Sequence, residues 1–228
     1  QGNSISRWKY VLRYKFWWRK MDSKEPRTEV RTVAFWKSKA FKNPIAWALV
    51  AFFGLESMTF YATSTWFPTL LTTKGFTLSS GAIAVSLSGI IGSGVGLVFP
   101  YYFEKSRHQR AMLVWTSLIA GLAFFMITVQ SGLILFIWLS ISNIGISIAF
   151  PLALMMAGMK SDTPEATRNL STMMQAFGYS ISAFGPIFMA TLFDISNSWN
   201  FAMHGIVIVC ILQATAGYVV GKPSRIDY

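Results

Sequence analysis

The stretch that most limits what this chain can fold into runs from Pro44 to Pro68: PIAWALVAFFGLESMTFYATSTWFP. It is apolar for long enough to cross a bilayer. In hydrocarbon every backbone N–H and C=O must be satisfied internally, so only a helix or a closed barrel can span it. The run lacks the strict alternation of a barrel strand, which leaves a helix. Glu56 stands twelve residues beyond Pro44. At about 1.5 Å of rise per residue that is ~18 Å into a hydrocarbon core ~30 Å thick. A carboxyl group near mid-depth costs on the order of 2.5–3.5 kcal/mol on insertion scales, so it is read first as functional.

Five more apolar runs follow, each bounded by charge or turn residues. The spans are expected at about 45–71, 79–102, 111–130, 133–158, 168–193 and 200–221. Composition agrees: 53% of residues are hydrophobic and 13% charged, about half the charged share of a soluble domain. The expected fold is an all-α membrane protein, a bundle of six transmembrane helices. Residues 1–44 form a basic, aromatic-rich leader. Its Ile5, Trp8, Leu12 and Phe16 recur at helical spacing. The leader reads equally as an amphipathic helix on an anionic lipid surface and as a solvated linker. Residues 222–228 form a short tail.

Charge gives the topology. With six spans both termini lie on one side. That side collects the leader, the 101–110 and 160–168 loops and the tail, and with them nineteen of the twenty Lys and Arg. Lys74 is alone on the other side. Positive charge marks the cytoplasmic face, so both termini are expected in the cytoplasm, the membrane being a bacterial plasma membrane. The net charge of +11 therefore describes a basic leader attached to a membrane domain and not a nucleic-acid-binding face.

Enzyme signatures are missing. The sequence has no Gly-Lys-Ser phosphate loop, no HExxH and no Gly-x-Ser-x-Gly. A single cysteine, Cys210, excludes both a disulfide framework and a cysteine-based zinc site. No cofactor and no metal are expected. His204, His108 and Asp194 read as boundary or loop residues. What remains is a set of polar residues inside the spans. Asn143 lies in the fourth span; Gln175, Tyr179 and Ser182 share one helix face in the fifth. Glu56, Thr59, Phe60 and Thr63 share one in the first. Such stripes can line a polar cavity at mid-membrane. Asn143 and Gln175 can equally serve as hydrogen-bonded ties between helices. No Lys, Arg or His is expected at the depth of Glu56. Either its carboxyl rests protonated, or it meets a cation outside this chain.

Three motifs carry a resemblance. Phe60-Tyr61 with Trp66-Phe67-Pro68-Thr69-Leu70-Leu71 comes first. Asn143-Ile144-Gly145 with Phe150-Pro151-Leu152 comes second. Ser161-Asp162-Thr163, Leu170-Ser171, Gln175, Gly178-Tyr179, Gly185-Pro186, Asp194 and Trp199 make the third. In this order and spacing they resemble helices seven, ten and eleven of the major facilitator superfamily, and within it the cyanate and 2-nitroimidazole permeases. The resemblance covers roughly residues 45–221. It implies that the chain is the C-terminal half of a twelve-helix transporter, with 1–44 as the linker between halves and an N-terminal six-helix half as its partner. It implies a substrate cavity lined by the first, second, fourth and fifth spans. The chain departs from the pattern at Glu104-Lys105, where Asp-Arg is usual, at Pro100, where Gly is common, and at Glu56, where this branch more often has an amide. The last departure points to a different substrate or coupling ion.

The resulting expectation is a secondary active transporter. It moves a small solute, an anion or a nitroimidazole-like compound, by alternating access coupled to protons. Glu56 carries the proton or meets the solute. Asn143, Gln175 and Tyr179 hydrogen-bond the solute, and Tyr61 and Trp66 form aromatic walls. The alternatives are a non-transporting partner or sensor acting through the basic leader, and a membrane-embedded enzyme.

Overall fold

The structure is a computed structural model that describes residues 39–223. The leader helix expected within 1–44 and the tail after residue 223 fall outside the described residues, apart from a single 3-10 turn at Lys39–Lys42. Seven α-helices follow: α1 Pro44–Thr72, α2 Leu78–Lys105, α3 Gln109–Val129, α4 Gly132–Met159, α5 Pro164–Ser182, α6 Gly185–Ser196 and α7 Trp199–Val220. No strand occurs among the described residues. Helices α5 and α6 together form one span, Pro164–Ser196, so six helical spans are long and apolar enough to cross a membrane.

Local chemistry sets the helix starts. Asn43 caps α1 by accepting from the Ile45 N–H at 2.8 Å, with Pro44 in the first turn, where its missing N–H costs nothing. Thr163, Pro164 and Glu165 repeat that device at α5, where the Thr163 hydroxyl accepts from the Ala166 N–H. The fifth span therefore begins at Pro164, four residues ahead of the expected 168. Thr77 caps α2 and Ser198 caps α7 in the same way. Gly75 turns the α1–α2 connection at φ +89, a conformation that L side chains rarely adopt.

The fifth span is broken ahead of Pro186. Ala183 and Phe184 separate α5 from α6. Pro186 has no N–H to give to the Ser182 carbonyl, and its ring would crowd that oxygen. The break also brings Gly185 against α1. A Cβ there would run into the Met58 carbonyl oxygen.

Helix α1 is the centre of the bundle. It packs on α2, α4, α5, α6 and α7, while α2 pairs most extensively with α4, and α3 with α7. Lipid tails are as apolar as leucine, so these contacts are held by close packing and hydrogen bonds and not by escape from water. Phe52, Phe53, Phe67 and Phe124 are fully enclosed. Gly92 and Gly96 let α2 lie against the backbone of Asn143 and Ser147 on α4. The opposite face of α2 carries Ile83, Leu87, Ile90 and Val98 outward.

Cationic side chains tie the ends of the bundle. At the end where α4 and α7 terminate, the Lys160 ammonium donates to the Lys222 carbonyl. There the Arg110 Nε also donates to the Tyr218 carbonyl at 2.9 Å, with its guanidinium 3.3 Å from the Tyr218 ring centre. Cations on the last carbonyls of α7 oppose the negative end of its dipole. At the other end Lys74 donates to the Thr128 carbonyl at 2.6 Å and so closes α3. Burial lowers the pKa of both lysines.

Candidate functional site

Helices α1, α2, α4 and α5 enclose a cleft of about 510 Å³. Helix α1 contributes Glu56, Ser57, Phe60 and Tyr61. Ser93 and Gly96 come from α2, Ser147 and Phe150 from α4, and Tyr179 from α5. These are the first, second, fourth and fifth spans, the four that the sequence resemblance implies. Two open grooves adjoin the cleft. One, along α5, is bounded by Thr172, Gln175 and Tyr179. The other lies beside the helix break, between Tyr61, Tyr179, Ser182 and Pro186. Tyr179 borders all three spaces.

Glu56 is 2% exposed. Ser57 Oγ donates to its Oε2 at 3.0 Å. Its Oε1 has no hydrogen-bond partner among the described residues, yet it is not sealed off, because the side chain faces the cleft. Among the described residues, none of the side chains lining the cleft is Lys, Arg or His. The walls are largely aromatic. Phe60 and Tyr61 meet edge to face at 5.4 Å. Phe53 stands behind the cleft and holds Tyr179 at 5.1 Å and Phe150 at 5.5 Å. Gly178 admits the Phe53 ring, because a Cβ there would lie 2.5 Å from Phe53 Cδ1.

The expected site residues divide into three groups. Glu56, Tyr61 and Tyr179 meet in the cleft. Gln175 lies one turn away in the α5 groove. Asn143 and Trp66 border neither space. The Asn143 amide donates to Ser88 Oγ at 3.0 Å and to the Leu139 carbonyl at 3.0 Å, which ties α4 to α2. The Trp66 indole donates to the Pro186 carbonyl at 2.9 Å and its ring lies against Trp199. It thereby fastens the start of α6. The polar stripe expected on α1 also divides. Thr59 and Thr63 are buried away from the cleft, and their hydroxyls donate to carbonyls one turn back in their own helix. Such back-bonding satisfies a hydroxyl in a membrane helix without any partner or cavity.

Ser93, Ser147 and Phe150 were not foreseen as cleft residues. Ser147 follows Asn143 by one turn, so helical spacing pointed towards it. Nothing in the spacing marked Ser93, whose neighbour Gly92 lies in the α2–α4 contact. Among the described residues no three His, Cys, Asp or Glu come together as a metal would need.

A family model described as Major Facilitator Superfamily matches residues 11–186. The chain belongs to the Major Facilitator Superfamily. Relatives within the superfamily lie at low identity over most of the chain. An uncharacterized transporter, YycB, of Bacillus subtilis (strain 168) is 29% identical over 206 residues, which cover 87% of this chain and 50% of that protein. The 2-nitroimidazole transporter of Escherichia coli (strain K12) is 26% identical over 194 residues, 82% of this chain and 47% of that one. The cyanate transport protein CynX of the same organism is 26% identical over 180 residues, 76% and 45% respectively. The branch resemblance read from the motifs is thus met by two of these relatives. The chain spans about half the length of the curated relatives it matches. No solved structure gives a significant match. Superfamily membership and six apolar helical spans make this an integral membrane protein.

Proposed function

We propose that this chain is the C-terminal six-helix half of a bacterial plasma-membrane transporter. It moves a small solute by alternating access, and the movement is coupled to protons. Both termini lie in the cytoplasm, with the basic residues 1–44 linking it to an N-terminal half. The two halves rock about a site near mid-membrane, as two-bundle transporters do. The observation that carries this reading is the enclosed Glu56 carboxyl facing a cleft of about 510 Å³ in a superfamily member. A carboxyl in that place is costly unless it is used.

In this reading Glu56 takes up and releases the coupling proton, and Tyr61 and Tyr179 contact the solute. Gln175 meets the solute in the adjoining groove. Asn143 and Trp66 hold the walls in place through Ser88 and Pro186. The names of the relatives support a small solute as cargo.

Two measurements test the reading. The coding sequence upstream of Gln1 should specify six further spans. In vesicles holding the complete protein, Glu56→Gln should leave the protein in the membrane yet abolish the dependence of uptake on a pH gradient. Unchanged proton-driven uptake by that variant refutes the proton role.

A further inference from the structure

The cleft has a chemical character that narrows its cargo. Among the described residues Glu56 is the one formally charged group lining the cleft, and the other lining side chains include no cation. One oxygen of the carboxyl is engaged by Ser57, and the other is left towards the cleft. Around it stand the rings of Phe60, Tyr61, Phe150 and Tyr179. Phe60, Tyr61 and Tyr179 are 40–44% exposed, so their surfaces are available to a ligand. Phe53, fully buried, holds Phe150 and Tyr179 from behind. The Phe150 and Tyr179 side of the wall is therefore preformed and needs little ordering when a ring arrives. A volume of about 510 Å³ lies in the usual range for small-molecule sites.

We infer that this cleft takes a planar aromatic cation, with N–H groups at its charged end donating to Glu56 and its ring among the four aromatic side chains. The inference rests on the reading of the cleft as a solute site and names the class of solute. An unpaired carboxylate in apolar surroundings is costly, and a cation with N–H donors relieves that cost most directly. Aromatic faces attract the same positive charge through their quadrupoles. An anion meets repulsion from the ionised Glu56, and a neutral ring brings no counter-charge, so the carboxyl then keeps a proton instead. The other titratable groups facing the cleft are the phenols of Tyr61 on α1 and Tyr179 on α5. The residues from α2 and α4 (Ser93, Gly96, Leu97, Ile146, Ser147, Phe150, Pro151) do not titrate. One carboxylate cannot hold a proton and a cation together, so the two exclude each other at this site. That exclusion favours exchange of cation for proton over cotransport.

The test is a charge series at constant shape. Benzamidinium, benzamide and benzoate share a planar ring with a three-atom planar head and differ in net charge. Binding of each to the complete protein in nanodiscs is measured by isothermal titration, with acetamidinium added as the cation lacking a ring. Benzamidinium should bind at least about tenfold more tightly than benzamide, equivalent to one decade in the dissociation constant. Benzoate and acetamidinium should bind more weakly still. Glu56→Gln should bring benzamidinium and benzamide to within about threefold of each other. If that variant does not fold, the order in the unaltered protein decides. The inference is overturned if benzoate or benzamide equals benzamidinium, if acetamidinium does so, or if the preference survives Glu56→Gln. Aromatic binding without charge preference would overturn the solute class and leave the solute site standing. No binding by any of the four would overturn both.

Discussion

Helix α2 offers a test of the packing in which two glycines on one helix should respond with opposite sign. A Cβ on Gly92 would lie 2.7 Å from the backbone C and O of Asn143 and 3.0 Å from Ser147 Oγ. The closest approach is about 0.7 Å inside ordinary van der Waals contact. Backbone atoms cannot turn aside as a side chain can. Nor can α4 retreat, because its Gly145 is already pressed on α3, where a Cβ would meet Ala120 Cβ at 2.7 Å. Gly92→Ala must therefore push α2 outward, an overpacking that costs about 1–3 kcal/mol. Two residues along, a Cβ on Gly94 would meet nothing within 4 Å. Gly94→Ala loses no contact and removes a flexible residue from a helix interior, a gain of up to about 0.5–1 kcal/mol. The two variants should differ by roughly 1.5–4 kcal/mol. At ~2–4 °C per kcal/mol for a chain of this size, Gly92→Ala should melt several degrees below the parent and Gly94→Ala at or slightly above it. Circular dichroism of the purified chain in detergent would read both. A Gly94→Ala variant that melts as low as Gly92→Ala refutes the assignment of α2's buried face.

Two further outcomes follow from the same contacts. Asn143→Ala removes the amide bond to Ser88, worth about 0.6 and at most ~1.7 kcal/mol in membrane bundles. It should lower the melting temperature, and any change in solute affinity should accompany that loss of stability; a loss of affinity without a loss of stability would make Asn143 a solute contact. Lys74 and Lys160 lie at opposite ends of the bundle, and burial lowers both of their pKa values from the ordinary 10.5. In the window just below 10.5 the unfolded chain then holds more protons than the folded one, so stability rises as pH is raised through that window. Lys160→Met should flatten the rise measured by melting temperature against pH, and an unchanged slope refutes the burial argument.

Much of the architecture could be read from the chain because a bilayer permits few solutions. Six apolar runs with Pro, Gly and charge between them had to become helices. The Thr163-Pro164-Glu165 start and the Gly185-Pro186 interruption were visible as residues. That the interruption would break the span was not, because a proline in a membrane helix can be accommodated by a kink when neighbours supply the lost bond. The break follows from Gly185 lying against Met58 and Trp66 bonding to Pro186, both contacts with α1.

The site was legible only in part. Glu56 stood out because a carboxyl in an apolar run carries a cost that depends on composition alone. Asn143, Gln175 and Tyr179 looked alike as polar residues at similar depth, and helical spacing could not separate them. Spacing states which residues share a face of one helix; it does not state which neighbour that face meets. The neighbours are chosen by fit: Gly92 and Gly96 bring α2 onto α4 and turn Asn143 towards Ser88, while Gly178 admits Phe53 and sets Tyr179 beside the cleft. The sequence by itself thus determined the membrane class, the number of spans and the costly carboxyl. Only the tertiary structure decided which polar groups face the cleft and which tie helices together, because that depends on close contacts between residues far apart in the chain.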